Sequence, residues 1–226
     1  METVEIARRF RGPSSSGNGG YTCGLLSRLV EGDAEVTLRV PPPLDTPLRV
    51  DGLRLFDGET LVAEVRPATV ELELPEPVSF ADARALEPPP DPDHPFPECF
   101  VCGPLGEGLR LRPGPVGDGR VVAAWVPEEV SPELVWAALD CPGAFAVNPA
   151  FARGPTVLGR LAVHVEELPA VGDELVVVAW DLGAASAGGA RGGSDGRRLH
   201  AGTALFRGDR ALAWARAVWF PVPSGP

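Results

Sequence analysis

Apolar and polar residues alternate along several short stretches of this chain, and such alternation is typical of β-strands with one buried face. The clearest apolar runs are Val36–Val40, Leu48–Val50, Leu161–Val165 and Leu175–Val178. Apolar residues at helical spacing occur in two segments, 20–30 and 132–147, and Ser131 directly before Pro132 is a typical helix start. The pattern predicts two helices, each followed by about four antiparallel strands whose inner face one helix can cover.

The two halves of the chain repeat the same elements in the same order. Residues 55–66 (LFDGETLVAEVR) align without a gap to residues 205–216 (LFRGDRALAWAR). The identical pairs are Leu55/Leu205, Phe56/Phe206, Gly58/Gly208, Ala63/Ala213 and Arg66/Arg216. Each segment predicts a β-hairpin with a glycine turn. We interpret the match as an internal duplication.

A proline-rich stretch separates the two halves. Six prolines lie within residues 88–97, and such a density forbids a regular helix and favours an extended chain. We therefore predict a first unit at residues 1–86, a linker at 87–97 and a second unit at 98–226. The Gly-, Ala- and Ser-rich stretch 183–196 predicts a loop between two strands.

The composition argues against several classes of function. All 20 basic residues are arginines, and with 31 acidic residues the formal net charge is −11. Nucleic acid and anionic membranes gain nothing from a negatively charged partner, so we expect neither. The lack of lysine excludes Schiff-base chemistry and a Walker-type phosphate loop, and the predicted order of strands does not fit an α/β-hydrolase. Neither a signal-peptide pattern nor an apolar run of roughly 18 residues is found, so we expect a cytoplasmic protein with reduced cysteines.

Three short motifs stand out beside the predicted helices. They are Asn18-Gly19-Gly20-Tyr21 before the first helix, Trp136-Ala137-Ala138-Leu139-Asp140 within the second, and Cys99-Phe100-Val101-Cys102-Gly103-Pro104 with Gly108-Leu109. The first two resemble double-hotdog acyl-CoA thioesterases of the thioesterase II type, and the third is similar to the opening of PaaI-like hotdog thioesterases. The resemblance implies an α+β fold, a tandem (double) hotdog. In it, two helices are each wrapped by a curved antiparallel sheet, and the sheets are joined or adjacent.

The resemblance also implies a reaction and a set of catalytic residues. Thioesterases of this type use an Asp, a Thr or Ser, and a Gln around one water; Asp140 matches the Asp, and Thr203 is the candidate for the Thr. This chain has no Gln, so Asn18 is the candidate for the remaining polar position. The implied function is hydrolysis of an acyl-CoA thioester by an Asp-activated water. The structural alternative is that Asp140 caps the helical segment that restarts at Gly143.

A second group of residues is expected to contact the substrate. These residues are Gly19, Gly20, Tyr21, Arg197, Arg198 and His200. The first three form a helix start whose backbone N–H groups can polarise a thioester carbonyl, although Asn-Gly-Gly is also an ordinary turn. The last three are candidates for the phosphates of a CoA-like ligand, and a solvated loop end is the alternative.

The four cysteines raise the question of a metal site. Cys99 and Cys102 have the C-x-x-C spacing of zinc ligands, and His94 with either Cys23 or Cys141 could complete a set of four. A second C-x-x-C pair is missing, and no βαβ pattern of a redox dithiol surrounds the first. We therefore expect buried structural cysteines, no metal and no cofactor.

Two functions from different classes remain open at this stage. The first is an acyl-CoA thioesterase, and the second is a hotdog module that binds an acyl thioester or another apolar molecule without turnover. The expected partner is a small acyl thioester, and exposed edge strands leave room for a homodimer. A pseudo-twofold relation between the repeats would create two clefts, of which we expect one to be usable.

Overall fold

The computed structural model describes residues 2–183 and 198–222. The helices are α1 (Gly19–Ser27), α2 (Phe80–Leu86), α3 (Pro132–Ala138) and α4 (Cys141–Val147), with 3-10 turns at Arg8–Phe10 and Pro149–Phe151. The strands of the first half are β1 (Thr3–Val4), β2 (Ala34–Leu38), β3 (Leu48–Asp51), β4 (Arg54–Asp57) and β5 (Thr60–Pro67). Those of the second half are β6 (Gly114–Pro115), β7 (Val121–Trp125), β8 (Thr156–Val165), β9 (Leu175–Asp181), β10 (Leu199–Arg207) and β11 (Arg210–Pro221).

All of these strands form one antiparallel sheet, in the order β1-β3-β4-β5-β2-β8-β11-β10-β9-β7-β6. The sequence β3-β4-β5-β2 on one side of the centre is mirrored by β9-β10-β11-β8 on the other, and β2 pairs with β8 where the two halves meet. The repeated hairpins lie at equivalent positions, as β4–β5 and β10–β11. The predicted double hotdog with a joined sheet is therefore confirmed.

The helices α1 and α3 pack against each other in antiparallel directions on the inner face of the sheet. Gly20 lies against Ala137 near the end of α3, and Gly24 lies against Glu133 near its start. A Cβ atom on Gly24 would come within 2.6 Å of the Glu133 Cα. Two glycines one turn apart thus let the helix backbones approach closely.

The predicted helix 132–147 is divided in two. Asp140, with φ −81° and ψ −83°, lies between α3 and α4, and Pro142 follows in the first turn of α4. Proline has no N–H and clashes with the carbonyl four residues earlier, so a continuous helix cannot pass through it. The break redirects the chain and turns Asp140 toward α1.

Two other features differ from the sequence expectations. The alternating Leu109 and Leu111 predict a strand over 109–112, but this segment is a loop whose Leu109 and Leu111 N–H groups donate to the carbonyls of Phe100 and Val101. Helix α2 was not predicted; it lies before the proline-rich stretch and packs on β7 and β9 of the second half. Within the described residues, none of the helices is both long and apolar enough to cross a membrane.

Candidate active site

A cavity of about 350 Å³ lies at the junction of the two repeats. Its walls are largely apolar and come from both halves, with Leu38, Val40, Leu158, Trp219 and Phe220 among them. Its polar end is formed by Asn18, Gly19, Asp140 and the two thiols of Cys99 and Cys141. We call this cavity the cleft. An apolar pocket with a few convergent polar groups is typical of small-molecule sites.

Asp140 is buried where the cleft meets the start of α1, with 2% of its surface exposed. Its Oδ2 accepts hydrogen bonds from the Gly20 backbone N–H (2.9 Å) and from the Asn18 Nδ2 (3.0 Å). Its Oδ1 is buried and has no hydrogen-bond partner among the described residues. The side chain makes no capping bond to α4, so the capping alternative does not account for this carboxylate.

The surroundings of Asp140 shift its proton affinity. Burial raises the pKa of the carboxyl group from 3.8 to about 7, and the nearby Cys99 adds to this rise. The hydrogen bonds from Gly20 and Asn18 act in the opposite direction, because they favour the charged form. Asp140 is therefore a desolvated carboxyl group with a raised pKa, and its Oδ2 accepts both of the hydrogen bonds.

Asn18 connects the helix start to this carboxylate. Its Oδ1 accepts the Tyr21 backbone N–H at 2.9 Å, the usual capping bond at a helix N-terminus. Because the carbonyl oxygen is used in this way, the amide nitrogen must point toward Asp140. The structure thus brings together Asn18, Gly20 and Asp140, which are distant in sequence.

The expected residues at the helix start have different surroundings. Gly19 lines the cleft, and its backbone N–H has no acceptor among the residues described. The Gly20 N–H, in contrast, is already bonded to Asp140. The Tyr21 ring stacks on Phe10 with a centroid distance of 3.7 Å and does not line the cleft.

Thr203 contacts the backbone next to Asp140 and is not itself in the cleft. This residue on β10 is fully buried, and its Oγ1 donates a hydrogen bond of 2.8 Å to the carbonyl oxygen of Leu139. That carbonyl immediately precedes Asp140, at the break between α3 and α4. Thr203 therefore contacts the backbone that carries the carboxylate, and it does not line the cleft.

The expected phosphate contacts lie elsewhere. Arg198 is exposed next to the start of β10, and Arg197 lies outside the described residues. His200 is three positions from Thr203 on the same strand, so alternation places it on the opposite face of the sheet. Neither Arg198 nor His200 lines the cleft.

The pseudo-equivalent helix start in the second half has a different character. There, at the beginning of α3, the buried Glu133 forms an ion pair with Arg28, the residue directly after α1. An ion pair thus occupies the place that Asp140 and Gly20 hold at the other end of the helix pair. Only one of the two helix starts presents a carboxylate to an apolar cleft.

Sequence reasoning did not place any cysteine in the cleft. Cys99 and Cys141 both line it, and their sulfur atoms are 3.8 Å apart. Hydrogen bonds from the thiols of Cys102 and Cys141, together with backbone N–H groups, hold the pKa of the Cys99 thiol well below its usual value. The available signal was the position of Cys141, directly after Asp140.

The comparisons with known proteins identify the fold. No protein-family model and no curated protein matches the chain. A proposed thioesterase from Novosphingobium aromaticivorans is similar over 98% of this chain and 95% of its own, with a TM-score of 0.64 and 11% identity. A hotdog-fold protein of unknown function from Alicyclobacillus acidocaldarius covers 98% and 93% with a TM-score of 0.63 and 12% identity. A proposed thioesterase II from Thermobifida fusca covers 98% and 92% with a TM-score of 0.59 and 16% identity.

These likenesses extend over nearly the full length of both partners, so they concern the whole double fold and not one repeat. At such low identity they establish the architecture alone. The chain has the double-hotdog fold, and only the residues of its own cleft indicate its chemistry.

Proposed function

We propose that this protein hydrolyses acyl thioesters of the acyl-CoA class, with Asp140 as the base that activates a water molecule. One observation carries the proposal: a buried carboxylate lies at the polar end of an apolar cleft, with Oδ2 held by two donors and Oδ1 without a partner. A buried acceptor without a partner is rare in proteins. A water bound to Oδ1 would satisfy it and would also be the nucleophile.

In the proposed reaction, Asp140 first accepts a proton and later returns it. Asp140 takes a proton from the water as its oxygen bonds to the thioester carbonyl carbon, giving a tetrahedral intermediate with a negative oxygen. The C–S bond then breaks, and the protonated Asp140 returns the proton to the leaving sulfur. The products are a carboxylic acid and a thiol, and the carboxylate is regenerated.

The developing oxyanion needs a donor near the carboxylate. The Gly20 N–H was expected for this role, but it is bonded to Asp140 because a helix N-terminus attracts a carboxylate. Gly19, one residue earlier, lines the cleft, and its N–H has no acceptor in the described part of the chain. We therefore assign the oxyanion contact to Gly19.

Asn18 and Thr203 act in this proposal as positioning residues. Asn18 holds Oδ2 of the carboxylate, so that Oδ1 is left for the water. Thr203 holds the Leu139 carbonyl and thereby the backbone turn that presents Asp140. Arg198 is exposed outside the cleft, so its proposed contact would be with the phosphates of the CoA portion.

A second candidate function is ligand binding without turnover. It is favoured by a specific observation: the Gly20 N–H, a donor that a thioester carbonyl would need, is already engaged by Asp140. A hotdog module of this kind would bind an acyl thioester or another apolar molecule in the same cleft.

An acyl-CoA panel distinguishes the two functions. The purified protein is incubated with acyl-CoAs of increasing chain length, and loss of the thioester ultraviolet absorbance is followed. Binding of a thioether analogue, which cannot be hydrolysed, is measured in parallel by calorimetry. Turnover with at least one acyl-CoA supports the hydrolase, whereas saturable analogue binding with no turnover across the panel supports the binding module.

A further inference from the structure

Three buried cysteines from two distant segments converge beside the cleft. Cys99 and Cys102 belong to the loop after the proline-rich stretch, and Cys141 begins α4. Their sulfur atoms all lie within 4.8 Å of one another, and none of the three residues is more than 7% exposed. The fourth cysteine, Cys23, is also buried but is not part of this group.

The spacing of the sulfurs fits a tetrahedral metal site. With Zn–S bonds of about 2.3 Å, two sulfurs at tetrahedral angles lie about 3.8 Å apart. The Cys99 and Cys141 sulfurs are 3.8 Å apart. A disulfide would need about 2.05 Å and would use only two of the three sulfurs. A convergence of three thiols therefore favours a metal over a disulfide.

The Cys99–Gly103 loop is shaped around the first sulfur. The backbone N–H groups of Val101 and Cys102 favour the charged form of the Cys99 thiol and lower its pKa, and the Gly103 N–H donates to the Cys99 carbonyl at 2.9 Å. A Cβ atom on Gly103 would lie 2.4 Å from the Cys99 nitrogen, so only glycine permits this tight turn. Such N–H donors stabilise a metal-bound thiolate.

A further donor comes from the first repeat. The Asn18 amide nitrogen lies 3.8 Å from the Cys141 sulfur and 4.0 Å from the Cys99 sulfur, within contact range of N–H···S interactions. The same amide donates to Asp140. One side chain thus connects the cysteine cluster with the carboxylate at the end of the cleft.

We propose that Cys99, Cys102 and Cys141 bind a thiophilic divalent cation, with zinc as the natural occupant. No other Cys, His or carboxylate of the described residues lies close enough to join all three sulfurs, so the fourth position is left for a solvent-derived ligand. The metal would tie the 99–103 loop to the start of α4, where Asp140 is the preceding residue. This inference is independent of the proposed thioester hydrolysis, because it rests on the cysteines and the groups around them and uses no step of that reaction.

The test uses cobalt as a spectroscopic probe in the full-length protein. The chain is reduced, freed of metal with a chelator under nitrogen, and titrated with Co²⁺. We expect one equivalent to bind, with a sulfur-to-cobalt charge-transfer band and the visible bands of tetrahedral cobalt, and we expect Zn²⁺ to displace it. Cys102→Ser should weaken Co²⁺ binding by about 100-fold or more, since even outer-shell changes cost 10–100-fold. Cys23→Ser is the matched buried control and should bind as the wild type does.

A second measurement uses the wild-type protein, so its result does not depend on whether a variant folds. The wild-type protein is alkylated in mild denaturant with and without Zn²⁺, and the labelled cysteines are identified by mass spectrometry. Zinc should protect Cys99, Cys102 and Cys141 and leave the labelling of Cys23 least changed. A reduced wild-type protein that binds no Co²⁺, or protection that does not distinguish the three cysteines from Cys23, would overturn the proposal.

Discussion

The Asp140 carboxylate of the second repeat accepts a hydrogen bond of 2.9 Å from the Gly20 backbone N–H of the first repeat. This contact joins residues 120 positions apart and crosses the junction of the two halves. It combines a helix N-terminus, which favours negative charge, with a carboxylate buried beside an apolar cleft. The site therefore exists only because the two repeats are packed against each other.

The first prediction concerns the fit of Gly20 against α3. A Cβ atom there would lie 2.5 Å from the Asp140 Cβ and 2.7 Å from the Trp136 carbonyl oxygen. Gly20→Ala should lower the free energy of unfolding by about 1–3 kcal/mol through overpacking, although alanine is the better helix former. Urea unfolding of both proteins measures the difference. If the variant were as stable as the wild type, α1 and α3 could move apart enough to fit the added methyl group without a loss of stability, which would contradict this prediction.

Asn18 has two roles that different substitutions separate. Asn18→Ser keeps a capping oxygen for the Tyr21 N–H but loses the amide donor to Asp140, so stability should stay close to wild type while kcat falls. Asn18→Ala loses both and should cost about 1 kcal/mol of stability in addition. Thermal unfolding and acyl-CoA kinetics on the two variants check this. If Asn18→Ser kept the full kcat, the amide would have no part in orienting the carboxylate.

Thr203 should influence turnover without contacting the substrate. Thr203→Val removes the hydroxyl that donates to the Leu139 carbonyl and should cost about 1–3 kcal/mol, because a buried acceptor loses its partner. Since this carbonyl sets the position of Asp140, kcat should fall with KM unchanged, and Thr203→Ser should restore it. A rise in KM alone would instead place Thr203 in substrate binding.

The apolar walls of the cleft should determine the length of the acyl group. Leu158 lines the cleft and lies next to Gly19. Leu158→Phe should reduce kcat/KM for long acyl-CoAs relative to short ones by about tenfold or more, as expected for lost space in an apolar pocket. Leu168→Phe, at an exposed position outside the cleft, is the control and should leave this ratio unchanged. An unchanged ratio in Leu158→Phe would place the acyl chain elsewhere.

Local sequence patterns predicted the strands of the sheet well and the segments that connect the two repeats poorly. The hairpins β4–β5 and β10–β11 follow from alternation and a glycine turn, which are properties of adjacent residues. Helix α2 was missed because it is short and buries only Ala83, yet Ser79 and Asp82 carried a capping signal that could have revealed it. The strand predicted at 109–112 is instead a loop, because its backbone bonds to the cysteine segment, and such a contact is not encoded by alternation.

Several residues of the candidate site could be selected from the sequence, but the contacts they make could not. Asp140 and Asn18 could be selected by resemblance, and the structure brings them within 3.0 Å of each other. That the Gly20 N–H would bind Asp140, and that Thr203 would face the Leu139 carbonyl, depends on contacts between distant segments. The three converging cysteines depend on the same long-range packing, since Cys141 is 42 residues from Cys99.

The most direct test of the account is the steady-state hydrolysis of the best acyl-CoA substrate by Asp140→Asn, an isosteric change that removes the base. Glu133→Gln, which neutralises the buried carboxylate at the pseudo-equivalent helix start, is the matched control, and thermal unfolding shows that both variants are folded. We predict that Asp140→Asn lowers kcat by about 10²–10⁴-fold, the usual contribution of a general base, while it still binds the thioether analogue and Glu133→Gln turns over as the wild type does. A folded Asp140→Asn protein that hydrolyses the substrate at the wild-type rate would contradict the account.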